Sequence, residues 1–268
     1  MSDIQIRRIA GSMGAEIHGV DLGRMDDRTW KAVHEAYLRH IAIFFPEQRI
    51  SPAEFKEWGL RFGPLLTHPY LKPLEGHAPV HELYKGPAEK LVFGGEWHAD
   101  FSYLEQMPQA ISLYAQIIPE YGGDTLFANR YLAYETLPEP YKILVDSLDA
   151  EFAITDYYED NVKVMRNKIE RQVKGKAVHS IVQVHPETGR KNLFVCPAFI
   201  HSIVGMTPSE SRPLIDFLVR HATRPDFTAR YRWRPGTVGI WDNRASLHYA
   251  LNDYPGMERR MMRLVVET

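Results

Sequence analysis

Arg259-Arg260-Met261-Met262-Arg263-Leu264-Val265-Val266 sets three cations into an otherwise apolar run. Its β-branched and long apolar residues predict a strand over 260–266. On a strand, positions 259 and 263 share one face and Arg260 points to the other. Two guanidiniums on one face of an apolar strand must meet anions, or they would be buried unpaired. Arginine suits a carboxylate because its planar fork donates two parallel hydrogen bonds. The strand can therefore hold two acidic ligands, one on each arginine. An edge strand with solvated arginines, or two structural salt bridges, reads the same residues without a ligand.

Working outward, short stretches rich in β-branched and aromatic residues predict strands over 41–45, 110–117, 124–128, 177–184, 192–195, 227–233 and 237–241. Thr188-Gly189-Arg190 predicts a hairpin turn between two of them. Helix signals are fewer. Ser51-Pro52-Ala53-Glu54 is a capping box with proline at the first helical position, opening a helix that stops near Gly63-Pro64. Thr207-Pro208-Ser209-Glu210 repeats that chemistry, with Leu214, Phe217 and Leu218 as its expected buried face. A third helix is expected over 27–40, with Trp30, Val33 and Tyr37 inward. Many strands and few helices predict a mainly β fold, a jelly-roll or barrel core with helical buttresses.

The 268 residues allow one or two domains. The 18 prolines and 18 glycines are scattered rather than gathered in a linker, and there is no repeat, so a single domain over 1–268 is expected. A net charge of −2 argues against a general electrostatic grip on nucleic acid. The single cysteine, Cys196, cannot form an intrachain disulfide, which suits a reducing cytosol. The start, Met1-Ser2-Asp3-Ile4-Gln5-Ile6-Arg7-Arg8, lacks the apolar core of a signal peptide. No apolar run approaches the ~20 residues needed to span a bilayer. A cytoplasmic protein is expected, assembled as a homo-oligomer (dimer or tetramer).

Trp97-His98-Ala99-Asp100 carries a candidate metal pair, since on a strand His98 and Asp100 project together. Alone it reads equally as a hydrogen-bonded surface pair. A second such pair, His185-Pro186-Glu187, runs straight into Thr188-Gly189 and is read as a solvated hairpin tip. The late segment Trp241-Asp242-Asn243-Arg244-Ala245-Ser246-Leu247-His248 offers a histidine that a distant strand could bring beside Asp100. Two histidines and one carboxylate on one side of a metal form the facial triad of non-haem iron(II) oxygenases, which leaves positions open for cosubstrate and dioxygen.

With these residues assembled, the chain resembles the TauD/TfdA family of iron(II)- and 2-oxoglutarate-dependent dioxygenases over nearly its whole length. The likeness rests on Gly14-Ala15-Glu16-Ile17-His18-Gly19-Val20-Asp21-Leu22, Trp97-His98-Ala99-Asp100, Gly122-Gly123-Asp124-Thr125, His185-Pro186 with Gly189-Arg190, Trp241-Asp242-Asn243-Arg244, and His248 with Arg259 and Arg263. The resemblance implies a double-stranded β-helix, cupin-like, with Fe(II) on His98, Asp100 and His248. It implies 2-oxoglutarate and O2 as cosubstrates, the distal carboxylate on Arg259 and Thr125, and Trp241 near the metal. Turnover would release succinate and CO2 and hydroxylate a small anionic organic substrate.

By the same resemblance Arg263 matches an arginine for the substrate's anionic group, and His68, Tyr70 and Phe199 match pocket residues. Two departures from the taurine enzymes stand out. Gly94 occupies the place of an asparagine, and Tyr70 is displaced by one position. A different organic acid is therefore expected: a larger or more apolar sulfonate, a sulfate ester or an aryloxy carboxylate. Two other readings remain at this stage, a barrel that binds metal or 2-oxoglutarate without turnover and a zinc hydrolase on the same triad. The polar segment 154–176 is expected to form a lid or insert over the site.

Overall fold

The computed structural model describes residues 4–169 and 174–268. The opening strand runs Arg259–Val266 and lies between Ala110–Ile117 and His81–Lys85. These belong to a seven-stranded sheet whose order is Gln5–Arg8, Ala15–His18, Ala42–Phe45, Val238–Asp242, Ala110–Ile117, Arg259–Val266, His81–Lys85. Both faces of this sheet are covered. Met262, Leu264 and Val266 join one buried cluster with Val33 and Tyr37 of the helix Asp27–His40 and with Phe55 and Trp58 of the helix Pro52–Leu60. Met261 and Val265, of the other parity, join a second cluster with Phe44, Phe127 and Trp241. Burial on both faces explains why the strand reads as a continuous apolar run rather than an alternation.

The second cluster fills the space between the large sheet and a small one, ordered Thr228–Tyr231, Thr125–Asn129, Ser246–Ala250. Phe44 stacks on Tyr231 at 3.6 Å between ring centres, and Phe127 meets Trp241 edge-on at 5.3 Å. Two facing, mainly antiparallel sheets with helices outside make the jelly-roll expected from the sequence. A further three-stranded sheet, Ile200–Ile203, Asp149–Ala153 and Lys176–Ser180, and the hairpin Val182–Val184 with Lys191–Leu193 complete the strands.

Both capping boxes form. The Ser51 hydroxyl accepts the Glu54 N–H at 3.2 Å while Glu54 accepts the Ser51 N–H at 2.8 Å. Thr207 and Glu210 do the same ahead of the helix Pro208–Ala222. That helix is rolled from its expected orientation. Its buried line is Ser211, Ile215, Leu218 and Ala222, and Leu214 and Phe217 are only partly covered. The expected strand 177–184 is two strands, because Ile181 is buried between them and donates its N–H to Leu148. The short helices Arg130–Glu135 and Glu139–Val145 carry no sequence period long enough to announce them. Among the described residues no helix is long and apolar enough to cross a membrane.

Candidate active site

A cavity opens between the two sheets. Leu83, Leu113, Trp241, Arg259 and Arg263 face it from the large sheet, and Thr125, His248 and Ala250 from the small one. Phe93, Gly94, His98 and Asp100 close it from a connecting loop.

His98 and Asp100 do not lie on a regular strand, as the pattern had suggested. His98 makes a single β-bridge to His248, donating its N–H to the His248 carbonyl at 2.9 Å and accepting in return at 2.8 Å. The chain then turns at Asp100. Asn243 holds that turn: its Oδ1 accepts the Asp100 N–H at 2.8 Å and its Nδ2 donates to the Asp100 carbonyl at 3.0 Å. The bridge sets the two imidazoles 4.0 Å apart, and the turn brings the carboxylate to them.

One donor atom from each of His98, Asp100 and His248 lies within 4.8 Å of the others. His248 Nε2 stands 3.4 Å from Asp100 Oδ2. Two donors at right angles on a first-row metal, with bonds of about 2.1 Å, stand roughly 3 Å apart, so the set fits one cation. The protonation states fit as well. His98 Nδ1–H donates to the Glu96 carbonyl at 2.7 Å, which leaves the Nε2 lone pair for a metal. Burial, with His248 beside it, drops the His98 pKa to about 3, so the ring is neutral near pH 7. For Asp100, burial pushes upward, but the Arg263 guanidinium and His248 outweigh it and hold the carboxyl well below the usual carboxylate range. Two imidazoles and one ionised carboxylate on one side of a cavity have the donor composition of a facial triad.

Arg259 is 7% exposed, and among the described residues no carboxylate stands within ion-pair distance of it. Its Nε is buried without a partner. A buried arginine does not by itself call for an anion. Arg130 is as buried, yet its guanidinium donates to the carbonyls of Leu193 and Asn243 and to Gln183. Arg259 has no such hydrogen-bond acceptors among the described residues; Tyr254 and Asp124 favour its charge only from beyond ion-pair distance. Thr125 lines the same cavity, and its hydroxyl oxygen already accepts the Trp233 indole N–H at 2.9 Å. Its own O–H is thereby left to donate. Trp241 lies beside His248 with ring centres 4.8 Å apart and an unpartnered indole N–H.

Arg263 shares the face of Arg259, as the strand period requires, but it is not free. Its Nη2 donates to Asp100 Oδ1 at 2.6 Å, while Nη1 is buried and unpartnered. Its guanidinium carbon sits 5.8 and 5.7 Å from the ring centres of Phe93 and Phe101. His68 contacts the same two rings. Its Nδ1 accepts the Tyr70 N–H at 3.1 Å, so the neutral ring carries its proton on Nε2, which has no partner. Burial and then Arg263 hold His68 well below the ordinary histidine pKa, keeping it neutral.

Of the other sequence-derived pocket residues, Phe199 lines a side bay with Phe93, Gly94, Tyr158 and Ala198, adjoining His98 and Asp100. Tyr70 does not line the cavity. Its hydroxyl donates to the Lys174 carbonyl at 2.7 Å and accepts the Lys174 N–H at 3.1 Å. Gly94 has φ of +81°, and a Cβ there would stand 2.8 Å from His98 Cε1 and 3.2 Å from Nε2. Glycine thus leaves open the space over the metal-facing nitrogen. Sequence reasoning missed Asn243 and Trp233 as supports and Phe93 and Tyr158 as walls. Asn243 stood inside a quoted motif, but nothing in the residues said what its amide holds.

His185 is the clearest correction. It is 1% exposed rather than solvated, and its Nε2 stands 2.9 Å from Asp242 Oδ2. The hairpin tip curls over it, with the Glu187 and Thr188 N–H groups donating to Nδ1. Cys196 is buried too and accepts the Ala99 N–H at 3.2 Å, and burial pushes its thiol up to about 11, which makes it inert. Part of the expected lid, 170–173, lies outside the described residues. The remainder holds the helix Asp156–Val164, from which Tyr158 faces the side bay.

A three-donor cluster in the mouth of a jelly roll, next to a buried arginine without an ion-pair partner among the described residues, has the composition of a metal site beside an anion site. The chain matches the taurine catabolism dioxygenase TauD, TfdA family over residues 5–265, and it belongs to that family of 2-oxoglutarate-dependent dioxygenases. It is 35% identical to the alkylsulfatase of Acinetobacter baylyi, over 98% of this chain and 84% of that protein. It is 34% identical to the alpha-ketoglutarate-dependent sulfate ester dioxygenase of Pseudomonas putida, over 98% of this chain and 89% of that one. Among solved structures, a taurine dioxygenase from Burkholderia xenovorans superposes with a TM-score of 0.85 at 35% identity, covering 98% of this chain and 90% of that one.

Proposed function

We propose that the chain is an Fe(II)-dependent hydroxylase of an alkyl sulfate ester or a related sulfonate, using 2-oxoglutarate and O2. The observation that carries the reading is the pairing of a facial donor set with Arg259, a buried cation that no protein carboxylate neutralises. His98, Asp100 and His248 would hold the metal. With 2-oxoglutarate and O2 the iron supplies the oxidant, and the balance is R–H, 2-oxoglutarate and O2 giving R–OH, succinate and CO2.

The chain's own groups do the rest. Arg259 and the Thr125 O–H bind the distal carboxylate of 2-oxoglutarate. Arg263 Nη1, buried and unpartnered on the cavity wall, donates to the sulfate or sulfonate oxygens, and the unpartnered His68 Nε2–H, which lines neither the cavity nor the side bay but contacts Phe93 and Phe101, is the second donor. The bay of Phe93, Gly94, Tyr158, Ala198 and Phe199 takes an apolar tail and excludes water from the reacting carbon. The open space at Gly94 favours a tail bulkier than taurine's aminoethyl group, and the names of two relatives point to the sulfate esters. Hydroxylation at the carbon bearing the ester oxygen releases an aldehyde and sulfate. The helix Asp156–Val164, which puts Tyr158 into the wall of this bay, acts as its lid.

The test is an anaerobic optical titration of the apoprotein with Fe(II) and then 2-oxoglutarate. A weak visible charge-transfer band that needs both is the expected result. Folded, metal-loaded protein without the band would overturn the reading and bring the zinc hydrolase forward.

A further inference from the structure

A guanidinium that only received substrate would have both ends free, and Arg263 does not. Its Nη2 is hydrogen-bonded to Asp100 Oδ1 at 2.6 Å, with Arg263 2% and Asp100 6% exposed. The other carboxylate oxygen, Oδ2, is the one that faces His248 Nε2. The bond therefore removes one oxygen from competition for a metal and presents the other to the two imidazoles. The backbone beneath is fixed on both sides, because Arg263 is in register with Leu113 on one neighbouring strand and His81 on the other. Its remaining end, Nη1, is the unpartnered one.

We propose that Arg263 is a positioning residue for the metal carboxylate as well as the anchor for the substrate anion, so that one guanidinium couples the arrival of substrate to the geometry of Asp100. The inference rests on the metal and substrate reading given above. Its physical basis is that the guanidinium is planar and rigid, so its two ends cannot be reoriented independently. An anion on Nη1 shares the positive charge and loosens its hold on Oδ1. The orientation of Asp100 Oδ2 toward the two imidazoles then changes. A lysine offers a single mobile ammonium and cannot hold the carboxylate and the substrate in one fixed plane.

The experiment titrates the full-length apoprotein with Co(II), without 2-oxoglutarate, and follows the visible absorption of the bound ion before and after adding hexyl sulfate. Arg263→Met is expected to weaken Co(II) binding by about 10- to 100-fold, the usual effect of losing a group that orients a metal ligand. Arg263→Lys is expected to keep the affinity to within about threefold, since one charged donor suffices to hold Oδ1. Its Co(II) spectrum should no longer respond to hexyl sulfate, whereas the wild-type spectrum does. Wild-type affinity and spectrum in Arg263→Met would overturn the positioning role. A full hexyl sulfate response in Arg263→Lys would overturn the coupling, and that variant decides alone should circular dichroism show Arg263→Met unfolded. His98→Ala separates the levels. If it binds Co(II) like wild type, the metal reading itself fails and this inference with it. A wild-type protein that binds Co(II) but ignores hexyl sulfate removes the sulfate ester and the coupling, and leaves the positioning role to Arg263→Met.

Discussion

Two buried groups in this molecule share a composition, histidine, aspartate and arginine, and differ in every other respect. In one, His185 Nε2 meets Asp242 Oδ2 at 2.9 Å, and Arg244 closes the pair with Nε on Oδ1 at 3.1 Å and Nη2 on Oδ2 at 2.8 Å. The Arg244 N–H also donates to Oδ1, and Nη2 reaches Glu187 as well. In the other, Arg263 holds Asp100 at 2.6 Å but His248 Nε2 stands 3.4 Å from it, and His248 Nδ1, Arg263 Nη1, Trp241 Nε1 and Arg259 Nε have no partner. Satisfied polar groups specify a structure, and a cluster of unsatisfied ones around a cavity is a candidate binding site. One segment feeds both: Trp241 faces the cavity, Asp242 on the opposite face serves the closed group, and His248 returns on the next strand to the open one.

That contrast predicts different consequences for the same mutation. Asp100→Ala should abolish succinate formation coupled to substrate in a protein that still folds by circular dichroism, at some cost in melting temperature because it strands the buried Arg263. Asp242→Ala should spare turnover and cost more stability, because it removes one bond to His185 and three to Arg244. It strands a buried arginine and histidine, and losing one partner of a buried pair costs about 3–5 kcal/mol of stability, read by urea denaturation. Turnover per folded molecule should survive. An Asp100→Ala protein that unfolds, or a folded Asp242→Ala protein without turnover, would exchange the two assignments.

Arg259 tests the open group from the side of the cosubstrate. Truncating one partner of a buried charge pair costs about 2–5 kcal/mol, so Arg259→Ala should weaken 2-oxoglutarate binding roughly 30- to 5,000-fold. Isothermal titration of the metal-loaded protein reads it. Unchanged affinity would mean that Arg259, like Arg130, is satisfied by the protein after all.

The contrast also explains what the sequence could and could not show. The strand Arg259–Val266 was legible because burial on both faces leaves a long apolar run, and the shared face of Arg259 and Arg263 follows from a period of two. Both long capped helices were legible from reciprocal side-chain chemistry at fixed spacing. His98, Asp100 and His248 were legible as residue types, but their meeting depends on one bridge and a turn held by Asn243, which no local pattern records. His185 misled for the same reason. Its neighbours Pro186, Thr188 and Gly189 describe a turn correctly, and only the fold reveals that Asp242 lies beneath it. That Arg263 already holds Asp100 is likewise a contact across 163 residues.

A pH series separates the two regions by the windows in which each loses stability. Next to the open site, His81 is fully buried and burial, with Arg263 nearby, drops its pKa to about 4. The unfolded chain takes up that proton near pH 6.5. Between these values the unfolded state binds more protons, so the stability of the metal-free protein must fall as pH drops from 6.5 toward 4, by about 3 kcal/mol from this group. Asp242 behaves differently. Burial would raise its carboxyl, but His185 and Arg244 hold it at about 2. Its contribution is intact above the unfolded value near 3.9 and is lost only as pH falls through the folded one. Urea denaturation across pH 3–7 should therefore show an upper slope that His81→Gln reduces and Asp242→Asn leaves unchanged. A His81→Gln protein whose upper slope matches wild type would place the acid sensitivity in other buried imidazoles, His98 foremost, whose pKa is held at about 3.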